Sequence, residues 1–356
     1  MNLHFDSCKI SSIELILPEN EVYFDDEIGN YTFSKEQSQK LKRIFEFKKR
    51  RIVENGVTSS DLVVHGFQSM VIRDGFQLGT IDALIVVTQT PDYLIPGTSY
   101  IVHGQLGMKK EILCLDLNQG CAGYIIGLTT SFSLLKQSSI QRVALVNVDV
   151  VSQLVSKSDR NSRPLIGDAA SITIIDSAPA SPENESYSNI YSDGARWDAL
   201  MVPAGGMRIR SNGKTNIKND DGSGNIRSLE NLVMKGDAVF SFVMETVPLM
   251  IEKLMNYSNV SKEDVDAFLL HQPNSFILTK IAEKLAIPIE KVPHQLVSNY
   301  GNSSGVSIPA VMCTHFEHDY FNYSRHLCLS GFGVGLTCAS MLIRMKDVSL
   351  NISTYP

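Results

Sequence analysis

The chain has 356 residues, of which 43% are hydrophobic and 20% charged, and a formal net charge of -6. Such a length and apolar content exclude global disorder and allow either two domain-sized units or one large pseudo-duplicated fold. The acidic balance argues against nucleic acid as a main partner, because phosphate backbones are bound by basic surfaces.

Six cysteines, at positions 8, 114, 121, 313, 328 and 338, lack CxxC or Cys/His ligand spacing, so neither a metal site nor a disulfide framework is expected. Residues 1–6 have no basic stretch followed by a long apolar one, and no segment reaches membrane-spanning length. The expectation is a reduced, cytoplasmic protein without a membrane partner.

Residues 10–17 are apolar and predict a strand ended by Pro18. The polar stretch that follows, to about Arg51, predicts helix, and its basic cluster Lys48-Lys49-Arg50-Arg51 is better read as a solvated turn or helix end than as an anion-docking site. Thr58-Ser59-Ser60-Asp61 has the composition of a helix start for residues 62–76. Residues 82–87 form a continuous apolar run, hence a buried strand, followed by a loop over residues 90–97 held by Pro91 and Pro96, and by a helix from Ser99.

The next strand, residues 113–117, leads through Gly120-Cys121-Ala122-Gly123 into helical apolar spacing. A thiol at a helix amino terminus faces unpaired N–H groups and the positive end of the dipole, which in other proteins lowers a Cys pKa to roughly 3.5–7.5. A thiolate is therefore expected at Cys121, against the plainer alternative of a small core residue. Residues 143–148 and 167–175 predict further strands, and residues 177–230, rich in Gly, Asn, Ser and Asp, predict a mobile loop. A long helix is expected over residues 232–255, kinked or divided by Pro248, and then a capped turn at residues 261–264.

From there the pattern repeats. Residues 266–270 with His271-Gln272-Pro273-Asn274 and a helix parallel residues 82–86 with their proline loop and helix. A strand at residues 295–299, then Gly301-Asn302-Ser303-Ser304-Gly305 and an apolar helix, parallels the Cys121 strand, turn and helix, and residues 326–329 parallel residues 143–148. A duplicated βαβαβ unit brings the turns bearing Cys121, His271 and Asn302 face to face across a pseudo-twofold axis. A thiolate nucleophile beside two neutral hydrogen-bond donors suits acyl-thioester chemistry, in which a carbonyl gains negative charge.

These residues resemble a thiolase-fold condensing enzyme of the β-ketoacyl-acyl carrier protein synthase III group. The resemblance is carried by Thr90-Pro91-Asp92-Tyr93, Gly120-Cys121-Ala122-Gly123, Ser192-Asp193-Gly194, Pro203-Ala204-Gly205-Gly206, Met234-Lys235-Gly236, His271-Gln272-Pro273-Asn274, Gly301-Asn302-Ser303-Ser304 and Gly331-Phe332-Gly333-Val334-Gly335, in one order over nearly the whole chain. It implies a layered α/β/α/β/α architecture, with an amino-terminal half over residues 1–176 and a carboxy-terminal half over residues 177–356. It further implies that Cys121 accepts an acyl group, that His271 and Asn302 support decarboxylative attack by a malonyl thioester, and that the backbone N–H groups of Cys121 and Gly333 form the oxyanion hole.

By the same resemblance Phe332 walls the decarboxylation pocket, Asn274 and Arg160 contact substrate, and Ile95 gates the primer pocket across a homodimer interface. Substrates are acyl-coenzyme A or acyl-carrier protein thioesters, and no cofactor is held permanently. The family's Trp, Arg and Thr-Gly-Ile near the coenzyme A site are replaced by Lys40, Ile44 and Phe45-Glu46-Phe47, and its docking Arg by Phe276 with Lys280 one turn beyond. Simple acyl transfer to an oxygen or nitrogen nucleophile is the competing enzymatic reading, and a non-catalytic partner subunit, which would usually lose the nucleophile, is the other.

Overall fold

The computed structural model describes residues 1–317 and 320–356 and has two main β-sheets. The larger runs in the order Ser349–Tyr355, Cys8–Pro18, Ala169–Ser177, Arg142–Asp149, Ala83–Val87, Leu113–Leu117. The smaller runs Asn2–Phe5, Ser186–Ser192, Thr337–Met345, Arg325–Gly333, Ala267–Leu270. Strand by strand the two orders correspond, with Arg142–Asp149 and Arg325–Gly333 each flanked by one parallel and one antiparallel neighbour. The terminal strands are exchanged: Asn2–Phe5 pairs with Ser186–Ser192, and Ser349–Tyr355 with Cys8–Pro18.

The apolar runs are continuous because both faces of each sheet are covered. Ile85 and Val87 point into a central core shared with Tyr124, Leu128 and Phe132 of the helix Gly123–Leu134 and with Ile308, Val311 and Met312 of the helix Ser307–His315. Leu84 and Val86, on the opposite face, pack with Leu62, Phe67 and Val102 from the helices Ser59–Asp74 and Thr98–Gln105. The smaller sheet is covered on its outer face by Gly236–Ser258 and Ser275–Leu285. Five layers, α/β/α/β/α, result. Gly123 and Gly127 allow the central helix to press on the sheet, since a Cβ at either would lie 2.6 Å from Val87 or Leu145.

Four sequence expectations about the fold are corrected. Residues 295–299 are not a strand: Leu296–Tyr300 is a short helix, so the smaller sheet has no counterpart of Leu113–Leu117 among the described residues. Residues 177–230 are not simply loop, because Ser186–Ser192 is an interior strand of the smaller sheet, and Leu200–Met201 pairs with Val233–Met234 beyond it. Of the two outcomes expected at Pro248, a kink or a division, division is ruled out: the helix Gly236–Ser258 runs through Pro248, which removes the N–H that would have bonded the Met244 carbonyl. Lys284 Nζ donates to that carbonyl instead, at 2.8 Å.

The basic cluster forms the strand Lys49–Arg51, paired with Glu21–Tyr23 rather than lying in a solvated turn. Its charges are largely consumed: Lys49 and Arg51 contact Glu21, and buried Arg50 shares Glu27 with Arg163.

Candidate active site

Cys121 sits in the turn between the strand Leu113–Leu117 and the helix Gly123–Leu134, whose N-cap is Ala122. His271 follows the strand Ala267–Leu270 and is fixed by its backbone N–H donating to the Ser330 carbonyl at 2.8 Å. Asn302 follows the helix Leu296–Tyr300, where its backbone bonds to Leu165 and Gly167 tie the two halves together. Gly167 is required there, since a Cβ would lie 2.2 Å from the Tyr300 carbonyl oxygen.

Cys121 and Asn302 open on one pocket walled by Val151, Leu165, Ile166, Leu200, Leu232 and Met234. Leu200 comes from the region expected to be loop. His271 lies behind, almost fully buried, edge-on to Phe332 at 5.5 Å between ring centroids, with Nδ1 2.8 Å from Ser307 Oγ. Burial lowers its pKa to about 4, against a partial offset from a hydrogen bond to the Ser304 backbone, so the imidazole is neutral at physiological pH.

Ser304 is the residue the sequence does not single out. It holds φ at +54°, a left-handed conformation unusual for a residue with a side chain. Its N–H donates to Asn302 Oδ1 at 2.9 Å, which leaves the Asn302 amide nitrogen to donate elsewhere. Its hydroxyl contacts the Cys121 sulfur and accepts from Gln89 Nε2 at 2.9 Å. Ser304 thus touches all three expected residues. An Asn-Ser-Ser-Gly turn, where local polar groups tolerate left-handed backbone, is the available signal.

The expected thiolate is not what the geometry favours. Desolvation pushes the Cys121 thiol up to about 11, and the nearby Asp149 carboxylate adds to the rise, outweighing hydrogen bonds from the Val334 backbone and the Ser304 hydroxyl. A helix terminus is worth about 0.3–1 kcal/mol, less than the desolvation of an enclosed charge. It is Val334, one residue beyond Gly333, whose N–H reaches the sulfur. Gly333 provides room, since a Cβ there would lie 2.7 Å from Cys121 Sγ.

The remaining candidates are dispersed. Asn274 caps the helix Ser275–Leu285, its Oδ1 accepting from the Ile277 N–H at 2.9 Å. Arg160 lies over the Phe33 ring at 3.9 Å and donates to Thr32 Oγ1 at 3.2 Å, beneath Gly224. Ile95 is 85% exposed and lies outside the pocket of its own chain. Among the described residues no cluster of side chains could hold a metal ion, and no helix is long and apolar enough to cross a membrane.

A duplicated five-layer α/β fold with Cys, His and Asn at facing turns defines the class of thiolase-fold condensing enzymes. Residues 115–194 match the model of the 3-oxoacyl-[acyl-carrier-protein] synthase III family, and residues 255–345 match the model of its C-terminal region. The chain is 33% identical, over 100% of its length and 99% of the relative's, to a putative 3-oxoacyl-[acyl-carrier-protein] synthase 3 of Campylobacter jejuni. It is 30% identical, over 95% of its length and 99% of the relative's, to a beta-ketoacyl-[acyl-carrier-protein] synthase III of Lactococcus lactis. The crystal structure of a 3-oxoacyl-(acyl-carrier protein) synthase from Burkholderia xenovorans superposes with a TM-score of 0.91, at 27% identity, covering 100% of this chain and 99% of that one. The chain belongs to the 3-oxoacyl-[acyl-carrier-protein] synthase III family.

Proposed function

We propose that this condensing enzyme is an acyltransferase that takes an acyl group from a thioester onto Cys121 and extends it by decarboxylative Claisen condensation with a malonyl thioester, giving a β-ketoacyl product. The observation that carries the reading is the apolar pocket on which Cys121 and Asn302 open, with His271 joined to both through Ser304. Bringing these three residues together gains nothing for a chain that only binds.

In the loading step the thioester carbonyl oxygen turns toward the N–H groups of Cys121 and Val334, which stabilise it as it becomes an oxyanion. Once Cys121 is acylated, the malonyl thioester enters, and neutral His271 and the Asn302 amide donate to its carbonyl as loss of carbon dioxide leaves an enolate. Phe332, against the His271 ring, keeps water from the leaving carboxylate. The enolate carbon then attacks the acyl carbon and releases the Cys121 thiolate. Simple acyl transfer would need an acceptor amine or alcohol and no malonyl donor; the synthase names of the relatives do not favour it.

Intact-protein mass spectrometry tests the reading, after incubation with acyl-coenzyme A and acyl-carrier thioesters, with and without malonyl partners. An acyl adduct on Cys121 that is discharged only with malonyl thioester and release of carbon dioxide is expected; discharge without carbon dioxide would overturn it.

Oligomeric state, donor and location belong to the same proposal. The strand Leu113–Leu117 leaves one edge unpaired among the described residues, and Tyr93, Leu94, Ile95 and Tyr100 are exposed apolar side chains. A second copy covering this face would carry Ile95 toward its partner's pocket. Sedimentation at micromolar concentration should give a dimer, and Ile95→Gly should extend the accepted acyl chain. An unchanged chain-length profile counts against the gating role.

The Arg160 face that would stack on an adenine is occupied by Phe33, which supports a weaker grip on coenzyme A than on a carrier protein. Acyl-carrier thioester should load Cys121 faster than the matching coenzyme A thioester, with the preference falling at high salt. Equal or faster loading from coenzyme A at both salt levels would sink this. Six unpaired cysteines support a reducing, cytoplasmic location. The halves 1–176 and 177–356 remain the proposed division, with their terminal strands exchanged.

A further inference from the structure

An acidic chain carries a run of cations beside its pocket. Residues 205–219 include Arg208, Arg210, Lys214 and Lys218 and no Asp or Glu, although the formal net charge of the whole chain is -6. All four cations are exposed, and among the described residues none is paired with a carboxylate. The carboxylates on either side are engaged: Asp198 with Lys235, Asp221 with Arg227, and Glu230 with the Thr215 hydroxyl. Met207, Ile209 and Ile217, next to these cations in the chain, are exposed apolar side chains.

The place of this segment is fixed by its anchors. It leaves from the strand Leu200–Met201 and returns to Val233–Met234, and Leu200, Leu232 and Met234 wall the pocket on which Cys121 opens. Thr215, buried in an otherwise exposed stretch, accepts at its carbonyl from the Leu229 N–H at 3.1 Å and at its Oγ1 from the Asn212 N–H at 2.8 Å. The Ala204 N–H donates to the Leu229 carbonyl at 2.8 Å. Leu229 precedes Leu232 by three residues, a span of at most about 11 Å, so the cations stand on the surface beside the pocket wall. Other basic groups are occupied. Lys49 and Arg51 contact Glu21, Arg50 contacts Glu27, Lys280 pairs with Glu283, and Lys284 donates to the Met244 carbonyl.

We propose that residues 205–219 form a docking surface for an acidic acyl carrier protein, with Arg208, Arg210, Lys214 and Lys218 meeting its carboxylates and Met207, Ile209 and Ile217 its apolar side chains. The identity of the partner rests on the thioester reading above. A thioester tethered to a protein arrives with that protein's surface against the pocket mouth, and opposite charge at that point steers the encounter and fixes its orientation. The rest of this chain is more acidic than the whole and repels such a partner, which concentrates productive encounters on the loop. Exposed apolar side chains among the cations supply a contact that water leaves on docking.

Fluorescence anisotropy tests the proposal with the full-length enzyme and the source organism's acyl carrier protein, its pantetheine arm attached but unacylated and its label placed away from that arm. No acyl group moves in this experiment. A carrier that docked through the loop without later condensation would therefore sink the condensing reading alone. Binding is expected, and it should weaken as salt rises.

Arg210→Glu with Lys214→Glu should raise the Kd about tenfold and flatten its salt dependence, and Arg208→Glu with Lys218→Glu should do the same. If one pair fails to fold, the other decides. Lys280→Gln with Lys284→Gln should leave the Kd within about twofold of wild type. The phosphates of coenzyme A are the other anions these cations could meet, and loading of Cys121 at subsaturating donor separates the two: the reversed variants should slow with the acyl-carrier thioester and not with acyl-coenzyme A. Absence of carrier binding, a Kd unmoved by the charge reversals, a larger loss in the Lys280 and Lys284 variant, or an equal slowing with both donors overturns the proposal.

Discussion

Cys121→Ala is expected to eliminate both the acyl adduct and turnover while leaving a folded protein. The adduct should vanish outright, because none of the other cysteines is in the pocket: Cys8, Cys328 and Cys338 are buried in the cores, burial raises Cys313, and Cys114 lies on an edge strand. Removing a nucleophile that acts with its partners as a unit costs on the order of 10⁶ in turnover in a well-studied protease. The structural cost is small, about 1 kcal/mol for one half-buried sulfur, and Gly331 and Gly333 beside it have no side chains to collapse. Mass spectrometry reads the adduct. An acyl group mapped to Cys114 or Cys328 would overturn the assignment.

His271→Ala and Asn302→Ala form the second test, and their effect should fall on condensation rather than on loading. Each donor bonds more strongly as the malonyl thioester becomes an enolate, so its loss should slow condensation of preformed acyl-enzyme by about 10²–10³. If either variant failed mainly in loading, its role would be wrong. The pH dependence has a definite sign. His271 titrates near 4 in the folded protein against 6.5 when solvated, so condensation should show no limb at the ordinary histidine pKa.

Between those values the unfolded chain binds the extra proton, and stability falls as pH drops. From pH 7 to 5 the His271 contribution amounts to about 2 kcal/mol. Asp149 and Asp168, both raised to about 6 by burial, change in the opposite sense and together offset it. The His271 share is therefore read as a difference: acidification should shift the stability of His271→Ala upward relative to wild type. Denaturant titrations at the two pH values decide it.

What can be read from the chain alone is whatever depends on local pattern. Apolar runs ending in glycine-rich turns locate Cys121, His271 and Asn302, because strand ends and tight turns are encoded within a few residues. Burial is not local. A helix terminus by itself predicts a low pKa for Cys121, while distant segments of the chain desolvate the thiol and reverse the sign. Ser186–Ser192 escapes detection because its buried residues include Ser186, Ser188 and Asn189, which carry no apolar alternation. Leu296 and Val297 are too short an apolar run to separate strand from helix. Phe33 supports Arg160 from far along the chain, a pairing no spacing rule predicts.

The exchanged terminal strands also bear on how this protein is made. The sheet that positions Cys121 takes its edge strand, Ser349–Tyr355, from residues that leave the ribosome after nearly everything else described, while Asn2–Phe5 must wait for Ser186–Ser192 before it has anything to pair with. Neither sheet can therefore be finished during synthesis of its own half. Until residue 355 has emerged, Cys8–Pro18 keeps an unpaired edge. Nascent chains stalled short of that point should remain dependent on chaperones and sensitive to proteolysis, and they should gain protection in one late step rather than half by half.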